Sequence, residues 1–192
     1  MKVSELFLQG KYNTDKYNLG YLDGFYDKEF SKLQKSCKNL LEIGCLGGES
    51  IKLWKDYFAC DNIYGVDIND YPQVPGTHKI IGNAYSNEIV EQFQDNYFDI
   101  IIDDGPHTYQ SFLDVIQKYK SKLKPNGILV IEDIIRPWQG CGVTQTQQEY
   151  LNQYSKELGY SSHKEYNLTN KQKTINLKNR WRSGLFILLL TR

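Results

Sequence analysis

The chain carries no net charge: 23 lysine and arginine residues balance 23 aspartate and glutamate residues among 192. It therefore lacks the field that gathers nucleic acid or an anionic membrane, which favours a small or uncharged substrate over either partner. Cysteine is sparse. Cys37, Cys45, Cys60 and Cys141 form no CxxC pair, and with three histidines they match no zinc spacing. They read as reduced, mostly buried thiols of a cytoplasmic protein. Long apolar runs are missing too: the longest, Leu185 to Leu190, falls far short of a membrane span, and MKVSELFLQG is too polar for a secretory signal.

What is present suits a soluble globular chain, with 40% hydrophobic residues, spaced charges and no internal repeat. Residues 1–20 show no sustained period, and YNTDKY (Tyr12 to Tyr17) reads as a plain loop or a lid. Leu22, Phe25, Tyr26, Phe30 and Leu33 share one face of a helix over residues 21–36, which would cover the sheet. The division is thus a helical cover over 1–38 and a main domain over 39–192, together one globular unit.

Within the main domain, strands over 39–43, 62–68, 78–81, 97–103 and 127–133 alternate with helices over 50–58, 87–94 and 107–123. KPNG (124–127) reads as a turn, and 144–158 as a polar helix capped by Thr144. Segments 161–168 and 185–191 are closing strands with no helix between them. This pattern predicts an α/β Rossmann-like, doubly wound, mostly parallel seven-stranded sheet with an antiparallel C-terminal edge hairpin.

Two stretches stand out. IIIDDGPH (Ile100 to His107) and GILVIED (Gly127 to Asp133) are apolar strands that break abruptly into acids. If they are neighbours in a parallel sheet, Asp103, Asp104, His107, Glu132 and Asp133 converge beyond the strand ends, where ligands of such sheets bind. Asp103 and Asp104 are adjacent, so they point to opposite sides. Three carboxylates suit a hard divalent cation, although Glu132 and Asp133 could instead bind substrate hydroxyls directly. His107 is either a proton acceptor or the cap of the next helix.

The glycines of EIGCLGG (Glu42 to Gly48) let backbone approach a ligand where the first strand turns into a helix. A dinucleotide fingerprint needs GxGxxG, and its middle glycine is absent. Glu42 would repel a pyrophosphate and welcome a cationic cofactor. Asp67, ending the second strand, is placed to hydrogen-bond a ribose diol.

ExGxxGG at Glu42 to Gly48, VDI at Val66 to Ile68, GNA at Gly82 to Ala84 and LKPNGILVIED at Leu123 to Asp133 fall in one order. Over roughly Asn39 to Ile134, with GLFILLLTR as the closing strand, the chain resembles the class I S-adenosylmethionine-dependent methyltransferases. The resemblance implies a cofactor site in which Glu42 and Gly44 flank the methionine part and Asp67 binds the ribose, with Gly47 and Ile68 also contacting the cofactor. It puts Asn83, where the family usually has an acid, and Ala84 near the adenine, with Asp103 on the cofactor side.

More narrowly, DDGPH followed by IED resembles the metal-dependent sugar and antibiotic O-methyltransferases of the macrocin type and their cephalosporin hydroxylase-like relatives. That implies Asp104, Glu132 and Asp133 as magnesium ligands and His107, with Asp104, as the catalytic pair. Relatives commonly have serine where Pro106 stands. The expected reaction is O-methylation of a hydroxyl on a sugar or glycosylated small molecule. The alternatives are a nicotinamide-dependent oxidoreductase and a non-catalytic cofactor- or sugar-binding module. Relatives of this type often associate, so a homo-oligomer stays open, as does the acceptor.

Overall fold

Strands buried on both faces by flanking helices need near-continuous apolar sequence, and NLLEI, FDIIID and GILVI supply it. The computed structural model, which describes residues 1–134, 143–168, 171 and 186–192, turns them into the middle of one sheet. Its strands are β1 (Asn39–Ile43), β2 (Asn62–Asp67), β3 (His78–Ile81), β4 (Phe98–Asp103), β5 (Leu123–Ile131), β6 (Ser162–Asn167) and β7 (Phe186–Thr191). They lie in the order β3-β2-β1-β4-β5-β7-β6. The pairs among β1 to β5 are parallel, and β7 runs antiparallel to both β5 and β6. The expected seven-stranded Rossmann-like sheet with an antiparallel C-terminal edge is therefore present. The chain runs outward from β1 through β2 to β3 and then crosses back to β4 on the other side of β1, and this reversal opens a crevice at the strand ends.

Helices α1 (Val3–Phe7), α2 (Glu49–Tyr57), α3 (Asn87–Val90), α4 (Tyr109–Lys118) and α5 (Gln145–Glu157) surround the sheet. In α4, Phe112, Val115 and Ile116 are buried at helical spacing. The sheet separates two cores. Leu40, Ile100, Ile102 and Val130 pack under the N-terminal segment and α2, whereas Leu41, Ile43, Ile101, Leu129 and Ile131 pack under α4 and α5. This alternation fixes the direction of each side chain at the strand ends. Among the described residues, no helix is long and apolar enough to cross a membrane.

Two expectations are corrected. The cover at 21–36 is not one α-helix: a π-helical turn (Leu22–Tyr26), a single α-turn (Asp27–Glu29) and a 3-10 turn (Phe30–Lys32) succeed one another. Tyr21, Leu22, Phe25 and Tyr26 are all buried across the widened first turn. KPNG is not a separate turn either. β5 runs through it from Leu123, with a register shift against β4 and Asn126 at φ +66° absorbing the extra residues. The short contact between Cys37 Sγ and Cys60 Sγ, 2.8 Å, joins the segment before β1 to the one before β2.

Candidate active site

The site begins where β1 ends. Gly44 has φ +82°, and a Cβ there would lie 2.1 Å from the Asp104 carbonyl oxygen, so the turns after β1 and β4 touch through a position only glycine can occupy. Asp67 Oδ2 accepts from the Cys45 and Leu46 amides at 2.8 and 2.9 Å, and its Oδ1 accepts from the Asn69 amide at 2.8 Å. The strand-two acid thereby shapes the glycine turn. Asn83 Oδ1 accepts from the Tyr85 amide at 3.0 Å, and the Ala84 carbonyl from the Tyr119 hydroxyl at 2.7 Å.

These loops enclose a cavity of about 840 Å³. Gly44, Gly47, Asp67, Ile68, Asn83 and Ala84 line it, and so do Asp104, His107 and Asp133. Glu42 and Asp103 do not. Glu42 is wholly buried beneath the turn and accepts from Trp54 Nε1 at 3.1 Å. Asp103 is buried toward the α4 side and accepts from the Tyr85 hydroxyl at 2.5 Å. Burial pushes each carboxyl up to about 7: the Lys16 ammonium opposes this at Glu42, and the Tyr85 hydroxyl opposes it at Asp103.

Asp104, His107 and Asp133 meet at one end of the cavity, with one ligand atom from each lying within 4.8 Å of the others. His107 Nε2 is 3.7 Å from Asp104 Oδ1 and 3.6 Å from Asp133 Oδ2, and the Tyr21 hydroxyl donates to the other oxygen of Asp133. His107 and Asp133 have φ of +54° and +55°. Such left-handed backbone is costly outside glycine and collects at functional sites. His107 does not cap α4. Thr108 does, its hydroxyl accepting from the Ser111 amide at 3.1 Å, which leaves the imidazole at the cavity.

Glu132 points the other way. Being adjacent to Asp133, it faces the N-terminal cover, where its oxygens accept from Lys16 Nζ at 2.8 Å and Oε1 accepts also from the Tyr26 hydroxyl. Lys16 Nζ further lies 2.7 Å from Asp104 Oδ2 and 3.5 Å from Glu42 Oε1, with the side chain 1% exposed. Burial alone would lower the lysine, but Asp104, Glu132 and Glu42 together hold its ammonium charged well above the usual range. Glu132 is raised by its own burial and by Asp104, against the pull of Lys16.

Lys16 is the site residue that motifs alone do not mark, since YNTDKY has the composition of a loop or lid. The signal available is strand alternation: Glu42 and Glu132 share the face of Leu40 and Val130, so two buried acids need a cation from the cover. Arg136, Trp138, Gly140 to Gly142, Trp181 and Arg182 lie outside the described residues.

Residues 41–134 match the family model of a methyltransferase domain. The chain is 32% identical over 157 residues to mycinamicin VI 2''-O-methyltransferase of Micromonospora griseorubida, covering 74% of this chain and 39% of that protein. It is 29% identical over 148 residues to demethylmacrocin O-methyltransferase of Streptomyces fradiae, covering 70% and 38%. The chain thus spans about two fifths of the length of these curated relatives. The crystallised MycE methyltransferase of the mycinamycin pathway, in complex with Mg and SAH, superposes with a TM-score of 0.67 at 23% identity over 99% of this chain and 53% of that one, a likeness of fold.

Proposed function

This chain belongs to the class I S-adenosylmethionine-dependent methyltransferases, and from that membership we propose that it methylates a hydroxyl of a sugar or glycosylated small molecule, with magnesium assistance and His107 as general base. The observation that carries the reading is the meeting of Asp104, His107 and Asp133 at the end of a cavity whose other walls are the glycine turn, Asp67 and Asn83. The names of two further curated relatives, an 8-demethyl-8-alpha-L-rhamnosyl tetracenomycin-C 2'-O-methyltransferase of Streptomyces olivaceus and an L-olivosyl-oleandolide 3-O-methyltransferase of Streptomyces antibioticus, support the acceptor class.

The donor set fits both groups. Gly44 brings the turn after β1 against the turn after β4 at the cavity wall, and Asp104 and Asp133 with the His107 imidazole offer the oxygen and nitrogen donors that suit a divalent cation. When bound, S-adenosylmethionine supplies an electrophilic methyl on a sulfonium, and magnesium supplies a Lewis acid beside the acceptor hydroxyl. Asp104 and Asp133 would hold the ion. Glu132, the third ligand implied by resemblance, can join them only by giving up Lys16.

His107 Nε2 takes the hydroxyl proton as the oxygen gains its methyl, and the neighbouring carboxylates stabilise the imidazolium that results. Asp67 and Asn83 orient the cofactor. His107 Nε2 lies close enough to both carboxylates for a second reading, in which it is itself a ligand. Manganese binding by His107→Gln separates the two: retained affinity supports the base, lost affinity the ligand.

The test is methyl transfer from labelled S-adenosylmethionine to a panel of glycosylated polyketides and free deoxysugars, with magnesium or with EDTA. The expected product is a methyl ether formed with magnesium and suppressed by EDTA. Binding of the cofactor without transfer to any hydroxyl, at any metal concentration, would overturn the reading in favour of a non-catalytic module.

A further inference from the structure

We infer that Lys16 is a positioning residue for cofactor binding: its buried ammonium ties the segment 12–18, one wall of the cavity, to the acids that end β4 and β5. The inference rests on the methyl-transfer reading for the identity of the ligand, and on contacts of this chain for everything else.

Asn13, Thr14, Asp15 and Asn18 line the cavity opposite the glycine turn. The segment that carries them has no strand, and its own α-helix ended at Phe7. It is held to α2 by the Tyr12 hydroxyl on Asp56 Oδ2 at 2.6 Å and by the Asn13 amide on Glu49 Oε2 at 3.0 Å, and Tyr17 stacks on Phe7 at 4.6 Å. These contacts attach it at its two ends. Lys16 reaches the strand ends of the sheet, with Nζ at 2.7 Å from Asp104 and 2.8 Å from Glu132.

An apolar side chain of the same length would bury as much surface without the cost of drying a charge. The ammonium therefore fits a need of the acids around it, and Asp104 is both its partner and a lining residue of the same cavity. Anchor, acid and wall are contiguous. Backbone hydrogen bonds from Leu19 and Tyr21 to the Asp15 and Lys16 carbonyls keep the turn itself, so cutting the anchor loosens the wall from the strand ends, and the cofactor must then bear the entropy of ordering it.

Titration calorimetry with S-adenosylhomocysteine tests this on the wild type, Lys16→Met and the double variant Lys16→Met with Glu132→Gln, which removes the stranded carboxylate along with the ammonium. We expect at least tenfold weaker binding in both variants. We also expect amide hydrogen exchange of residues 12–18 to be at least tenfold faster while β1 and β4 exchange as in wild type, a local change that general destabilisation would not give. Binding within twofold of wild type in either folded variant overturns the inference.

If neither variant folds, the wild type decides. Amides of 12–18 should already exchange at least tenfold more slowly than an unstructured segment before any ligand is added, and unprotected exchange in the free wild type would overturn the tie. A wild type that binds neither S-adenosylhomocysteine nor S-adenosylmethionine refutes the methyl-transfer reading itself, whereas normal wild-type binding with an insensitive Lys16 refutes only this inference.

Discussion

His107 sits on left-handed backbone directly before the helix cap Thr108, so its ring is held by the turn and not by the helix. Its Nε2 faces Asp104 and Asp133. His107→Gln is expected to lower kcat by roughly 10²–10⁴-fold, the usual contribution of a general base, with S-adenosylhomocysteine affinity within about twofold. Equal losses in kcat and affinity, measured by single-turnover kinetics and calorimetry, would remove it from the chemistry. Glu42 offers a second residue-level test. Its carboxyl is pushed up to about 7 by burial, so the folded protein holds a proton that the unfolded chain has already released. Stability from this source is full below about pH 4.5, the ordinary value, and is lost as pH rises to about 7. Glu42→Gln keeps an oxygen for Trp54 and should flatten that decline, worth on the order of 3 kcal/mol at most. Urea midpoints at pH 5 and pH 8 measure it, and an equal decline in both proteins would refute it.

At the scale of elements, the β1 and β4 turns are locked by one glycine. Gly44→Ala adds a methyl 2.1 Å from the Asp104 carbonyl at φ +82°, and the contact is with backbone, which cannot step aside. The expected cost exceeds about 2 kcal/mol, with cofactor affinity lost in parallel, because the same turn shapes both strand ends. Denaturant unfolding and calorimetry on one preparation test this, and intact affinity would show that the turn can relax. The strands themselves were legible, since buried parallel strands leave unbroken apolar runs. The cover was not. Helical spacing identified its buried residues Leu22, Phe25, Tyr26 and Phe30 but not the π-turn, whose geometry is set by the surface it packs against. KPNG has turn composition, yet backbone hydrogen bonds between Asn126, Gly127 and Arg192, just past the end of β7, hold it within β5 as an irregularity.

At the scale of the molecule, a ligand bound to the folded state alone stabilises it by mass action, about 2.7 kcal/mol at a hundred times Kd. For a chain of this length that corresponds to a rise in Tm of roughly 5–10 °C. S-adenosylhomocysteine should give it, while a nicotinamide dinucleotide should give none, since the middle glycine of its fingerprint is missing. A comparable shift with the dinucleotide would restore the oxidoreductase alternative. The match to curated relatives spans about two fifths of their length, so the acceptor's fit belongs to experiments on transfer.

The sequence by itself determined the strand order along the chain, the glycine turn, and the acids that end β1, β2, β4 and β5, because these depend on local periodicity and on residues that only a few backbone conformations accept. Tertiary structure decided what each acid meets. Asp133 joins Asp104 and His107 at the cavity, Glu132 turns to the cover, and Lys16 crosses from a distant segment to meet it. The physical reason is that a buried charge is satisfied by whatever partner the packing delivers, and strand periodicity gives the side it faces without naming that partner.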